Sequence, residues 1–274
     1  MDLRQLALEA LCITDPTRKA YAVQALWARV DTVPLDTAAH LPEPEGVPGR
    51  PARPVLVAPG AVPQRSPFTV EGRAALLHAI AHIEFNAIGL ALDAVFRFPG
   101  LPAAFYRDWL RVAFEESHHF QMLAGHLATL GHAYGDFEAH DGLWAMARKT
   151  RDDLTARMGL VPRTLEARGL DATPLIQAKL RKAGDLAAVA ILDVILREEV
   201  GHVAIGNYWY RWACARDGLD PVAHYRTLVA RHAAPRLKPP FNRAARLAAG
   251  FSAEELADLE AGSAGWPADP VPTA

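Results

Sequence analysis

Cysteine is nearly absent: the 274 residues contain two, Cys12 and Cys214, far apart and matching no zinc or redox spacing. That argues against thiolate-bound zinc and iron–sulfur clusters, does not suggest a disulfide, and fits a reducing, cytoplasmic setting. Excess charge is lacking too. The 31 acidic residues nearly balance 29 basic ones, and a net charge of -2 gives no general attraction to nucleic acid or an anionic membrane. No run of about 18 apolar residues occurs, and Met1, Asp2, Leu3 and Arg4 do not begin a secretory signal, so a chain that neither enters a membrane nor is exported is expected. Strand-like alternation is also missing, which leaves an all-helical core as the natural architecture.

What is present falls into three stretches. Residues 1–69 open with apolar positions at helical spacing up to Val30, interrupted at Asp15-Pro16, where a second helix should start. Nine of the 21 prolines then crowd into residues 31–68. Proline is excluded from helix interiors, so this part should be extended, and its interleaved Val55, Leu56, Val57, Val62 and Phe68 suggest an arm laid against the core. Residues 70–217 hold four long helical segments, at 70–97, 103–131, 141–168 and 186–217, with a short helix near 173–183. Residues 218–274 carry helices near 221–232 and 252–260, a Pro-Pro break at 239 and 240, and a Pro-rich tail expected to be loose.

Chemistry enters with two Glu-x-x-His pairs, Glu116 with His119 and Glu199 with His202. Residues three apart on a helix project from one face, so each pair can offer a carboxylate and an imidazole to a common ion. Their surroundings turn inward. Glu116 lies amid Trp109, Val112, Phe120, Leu123 and Leu127; Glu199 amid Leu192, Ile195, Val203, Gly206 and Tyr210; and Glu84, in the first long segment, amid Leu77, Ile80, Ile88, Ala91 and Val95. Glu84 precedes Glu116 by 32 residues, and 33 residues before Glu199 stands Glu166. Helix-with-Glu followed by helix-with-Glu-x-x-His, twice over, is the pattern of a ferritin-like four-helix bundle with a dinuclear carboxylate site. The second and third helices of such a bundle run parallel, so residues 131–141 must travel its length of about 30 Å, and fully extended they span roughly 33 to 36 Å.

Four carboxylates buried together would each cost several kcal/mol, and two divalent cations would neutralise them. Oxygen and nitrogen ligands without sulfur suit iron first and manganese second. Other readings compete at several positions. Glu115 and His118 share a face with Asp108, Arg111 and His126 and are expected near solvent or just behind the ligands. His78 and His82 are one turn apart, but His82 points away from Glu84 and fits a helix contact better than a ligand. Pro162 makes the facing of Glu166 uncertain, with Asp152 and Asp153 as substitutes that would break the two-fold pattern. Tyr210 is the aromatic residue best placed to line a metal pocket.

At these motifs the chain resembles bacterial ferritin-like proteins of unknown function, distantly similar to the tRNA hydroxylase acting on methylthio-isopentenyl-adenosine. The likeness rests on Pro48-Gly49-Arg50, Arg53-Pro54, His78 to Glu84, Glu115 to Phe120, Tyr134-Gly135-Asp136, Leu143-Trp144, Glu166 to Asp171, Glu198 to His202 and Pro239 to Asn242. It implies a di-iron site with Glu84, Glu116, His119, Glu166, Glu199 and His202 as ligands. The leading expectation is an oxidoreductase using dioxygen to hydroxylate or oxidise an unknown small molecule, served by an electron-donating reductase, as a monomer or dimer. A ferroxidase or metal-handling protein, and a manganese catalase-like activity, are the alternatives. A basic stretch from Arg226 to Arg246 raises tRNA as a partner, against the blander reading of solvated charges flanking helices.

Overall fold

The computed structural model describes residues 1–262; the expected loose tail at 263–274 lies outside the described residues. The described chain is all-helical, with no strand beyond an isolated bridge between Leu56 and Ala139. It divides into two compact units, residues 1–145 with 176–195, and residues 146–175 with 196–262.

The first unit is built on two long helices, α3 (Val70–Arg97) and α4 (Ala103–Thr129). Thr69 starts α3 by accepting from the Gly72 amide at 3.0 Å. The helix is apolar enough by length and composition to cross a membrane, yet 72% of its most apolar window is buried, so that surface serves the core. Phe85 of α3 and Phe120 of α4 meet with ring centroids 5.6 Å apart. Against this pair pack α1 (Leu3–Cys12) and α2 (Pro16–Trp27), capped by Asp2 and Asp15, with Pro16 at the first helical position where its missing N–H costs nothing. Buried Arg4 donates to the carbonyls of Val95 at 3.2 Å and Phe96 at 2.7 Å, occupying acceptors that the end of α3 leaves free.

The proline-rich arm is non-helical except for one turn at Pro59–Ala61, and it is tied down. Buried Lys19 donates to the Gly49 carbonyl at 2.8 Å, Arg50 pairs with Asp141, and Val57 N–H bonds Ala139 O at 2.8 Å. The connection after α4 lies along α3. Gly135 N–H donates to His78 Nε2 at 2.9 Å, while Tyr134 stacks on His78 and its hydroxyl lies 2.8 Å from His82 Nδ1.

The second unit corrects one expectation. The segment 141–168 is not one helix but α5 (Gly142–Lys149), α6 (Leu154–Leu160) and a π-helical turn at Val161–Glu166, followed by α7 (Arg168–Lys182) where 173–183 was expected. Local chemistry explains the breaks. The Thr150 hydroxyl bonds back to Met146 O at 2.9 Å, and Asp153 accepts from Ala156 N at 2.8 Å, which starts a new helix. Pro162 then has no N–H for the i−4 ladder, and the turn widens. Helix α8 (Leu186–Arg216) runs unbroken through both divisions of the sequence. The unit closes with α9 (Pro221–Arg231), α10 (Arg243–Ala248) and α11 (Ala253–Ala261); α10, after the Pro-Pro break, was not anticipated.

Candidate metal centre

Helical period puts Glu84 on the face of α3 turned toward α4, and Glu116 and His119, one turn apart, on the facing stripe of α4. All three are buried, at 4%, 1% and 0% exposure. His119 Nδ1 lies 3.1 Å from Glu84 Oε2 and 3.3 Å from Glu116 Oε2. Glu199 of α8 joins them: each of Glu84, Glu116, His119 and Glu199 offers one ligand atom, and these atoms all lie within 4.8 Å of one another.

The electrostatics are those of crowded like charges held in an apolar setting. Burial, reinforced by the charge of Glu116, pushes the Glu84 carboxyl up to about 8. For His119 burial alone would depress the imidazole, but the hydrogen bonds and charges of Glu116 and Glu84 outweigh it and push it up to about 11. Glu199 Oε2 is buried without any hydrogen-bond partner among the described residues. A buried carboxylate oxygen left bare is costly, and a cation is the group that this set of oxygens and one imidazole nitrogen can take. Donor type, burial and the bare oxygen all fit a metal ion, and the cluster could hold one.

The other sequence candidates are distributed as follows. His202 is buried one turn beyond Glu199, its Nδ1 3.5 Å from Glu199 Oε1. Glu166 ends the π-helical turn, half-buried, and is not among the four clustered residues. Its substitutes have other duties: Asp153 caps α6 and Asp152 is exposed. Glu115 pairs with Arg111 at 2.8 Å, and His118 packs edge-on against Phe114. His78 and His82 serve the crossover segment rather than the cluster, both pushed down to about 4, chiefly by burial. Tyr210 is buried with its hydroxyl donating to Pro221 O at 2.7 Å. Both cysteines are free thiols.

Periodicity did not mark the buried arginines of the second unit. Arg163 donates to Asn207 Oδ1 at 2.5 Å and Glu255 Oε1 at 2.6 Å, and Arg246 grips Asp171 at 2.6 Å. A guanidinium can anchor from any helix face that offers acceptors, so no spacing signals it. Their only trace in the sequence is that Glu166 to Asp171 and Pro239 to Asn242 stand among the motifs singled out above. Three of the six arginines and lysines in the basic stretch are paired with carboxylates: Arg226 with Asp258, Arg243 with Glu260 at 2.6 Å, and Arg246 with Asp171.

The profile described as "Protein of unknown function (DUF455)" matches residues 12–257. The chain belongs to the DUF455 family. An uncharacterized protein of Haemophilus influenzae is 48% identical over 258 residues, covering 90% of this chain and 90% of its own length. No solved structure matches. The DUF455 match takes in Glu84, Glu116, His119, Glu166, Glu199 and His202 but stops short of the tail.

Proposed function

We propose that this DUF455 protein is a ferritin-like, dinuclear carboxylate oxidoreductase that uses dioxygen to hydroxylate or oxidise a small organic substrate. The observation that carries the reading is the buried Glu84, Glu116, His119 and Glu199 cluster, with its unpartnered Glu199 oxygen. In this reading residues 70–217 act as a four-helix bundle, and Glu166 and His202 complete six ligands for two iron ions, or manganese ions in second place. Iron, when bound, supplies the electrons for reducing dioxygen, which no side chain of the cluster can supply.

The chain's own residues do the rest. Glu84 and Glu116, from facing helices, would neutralise the cations; His119 would give up a proton, and His119 and His202 would each offer a ring nitrogen. Phe85 and Phe120, packed together beside the ligands in sequence, keep the interior dry. The two cysteines are too few for an iron–sulfur cluster of the chain's own, so the electrons are assigned to a separate reductase. Pairing of Arg226, Arg243 and Arg246 with carboxylates halves the free charge that this stretch could offer a phosphate backbone, and a small molecule is the substrate of this reading.

Single-turnover oxygen uptake tests the proposal. Protein loaded anaerobically with two equivalents of Fe(II) should consume dioxygen within seconds of mixing, and Glu116→Ala should abolish uptake. An iron-loaded protein that leaves oxygen untouched overturns the oxidoreductase reading.

A further inference from the structure

The π-helical turn at Val161–Glu166 is gripped from both ends by the C-terminal segment. At its start, Arg163 forks between Asn207 Oδ1 and Glu255 Oε1, and its guanidinium lies over the rings of Tyr210 and Tyr225 at 5.1 Å and Phe251 at 4.7 Å. Just beyond its end, Arg246 donates to the Ala167 carbonyl at 3.3 Å and to Asp171 at 2.6 Å, and lies over the same Phe251 ring at 5.0 Å. Asn242 adds two bonds, from its amide to Asp171 Oδ1 at 2.8 Å and from its side chain to Leu170 O at 3.2 Å. The Leu170 carbonyl is the one that Pro174, lacking an N–H, leaves open in α7. Glu255 is tied in turn: Arg211 donates to its second oxygen at 2.9 Å, and its Oε2 accepts from the Ser252 amide.

The register of this turn against α8 gives the grip a consequence. A Cβ on Gly159 would meet the Tyr210 ring at 3.1 Å, and one on Gly206 would meet Pro162 Cβ at 2.5 Å. Residue 159 therefore lies against 210 and 162 against 206, an antiparallel register. Extended by one turn, the same register would set residue 166 opposite His202, one turn from Glu199 on α8.

We propose that segment 242–255 is a clamp that sets the position of Glu166 as a metal ligand, with Arg163, Arg246 and Glu255 as its positioning residues. The inference rests on the reading of Glu166 as a ligand. A π-turn ending at a ligand is a soft support, because its ladder is interrupted by Pro162. Two planar guanidiniums sharing one aromatic platform hold it by geometry as well as charge, which a lysine at either position could not reproduce.

Titration of the metal-free, full-length protein with Co2+, followed by its visible absorption, tests this. The parent should bind two ions. Glu166→Gln, Arg163→Lys and Glu255→Gln should each weaken one of the two binding events at least tenfold, with a changed absorption band for that ion, and leave the other event alone. Arg157→Lys is the control, since Arg157 is a buried arginine of the same unit that grips Thr150 and the Ala147 carbonyl. It should lower the melting temperature without moving either Co2+ affinity. If Glu166→Gln weakens the second ion while Arg163→Lys and Glu255→Gln bind both like the parent, the clamp is overturned and the ligand reading stands. If Glu166→Gln itself changes nothing, the ligand assignment fails and the clamp falls with it. Should Arg163→Lys not fold, Glu255→Gln, which keeps the aromatic stack, decides alone.

Discussion

Metal binding to this cluster should be driven by pH, and the size of the effect follows from two side chains. Glu84 is pushed up to about 8 and His119 to about 11, so at pH 7 the first is about nine-tenths protonated and the second almost wholly so. A divalent ion held by both needs both deprotonated, and filling the pocket must therefore release about two protons from this pair. Between pH 6 and 7 the affinity should climb roughly a hundredfold, about 2.7 kcal/mol, and the slope should fall toward one proton above pH 8. Stability in the metal-free state moves the opposite way. The folded value of Glu84 lies above its ordinary 4.5, so its contribution is fully present below about 4.5 and is lost as pH rises through 8. His119, also raised, contributes fully below 6.5 and loses that only on rising through 11. The gap in melting temperature between Co2+-loaded and metal-free protein should accordingly widen from pH 6 to pH 8. Isothermal calorimetry in buffers of different ionisation enthalpy counts the protons directly. A binding event that releases none, with an affinity flat between pH 6 and 8, would refute the reasoning and leave the cluster as a set of structural hydrogen bonds.

Two further outcomes are expected. Gly206→Ala should destabilise the protein by about 1–3 kcal/mol in urea denaturation, because the new methyl meets the rigid Pro162 ring at 2.5 Å where nothing flexible can give way; parent-like stability would show that the turn moves freely. Lys19→Met should stabilise at pH 6 and less so at pH 9. Burial, aided by Arg50, depresses the Lys19 amine to about 7, so its charging cost is full below that pH and relieved toward 10.5. After the lost bond to Gly49 O, a net gain on the order of 2 kcal/mol remains at pH 6, and a loss at both pH values would contradict the burial argument.

The sequence alone determined the helices whose chemistry is periodic. Glu84, Glu116 and Glu199 could be picked out because each interrupts an apolar stripe at helical spacing, and a charge placed there has few uses besides holding a cation. Helix starts at Asp15-Pro16 and Thr69 are equally local, since a cap and its amide lie within one turn. Tertiary structure alone decided the fate of 141–168. Thr150, Asp153 and Pro162 are each tolerable in or beside a helix, so their local bonds and the missing Pro162 N–H permit a break that the sequence does not dictate. The same holds for Arg163 and Arg246, whose acceptors and aromatic platform lie in another part of the sequence. Periodicity reports which face of a helix is greasy; it cannot report which distant carboxylate will meet a buried cation, because that depends on distances between elements and not along one.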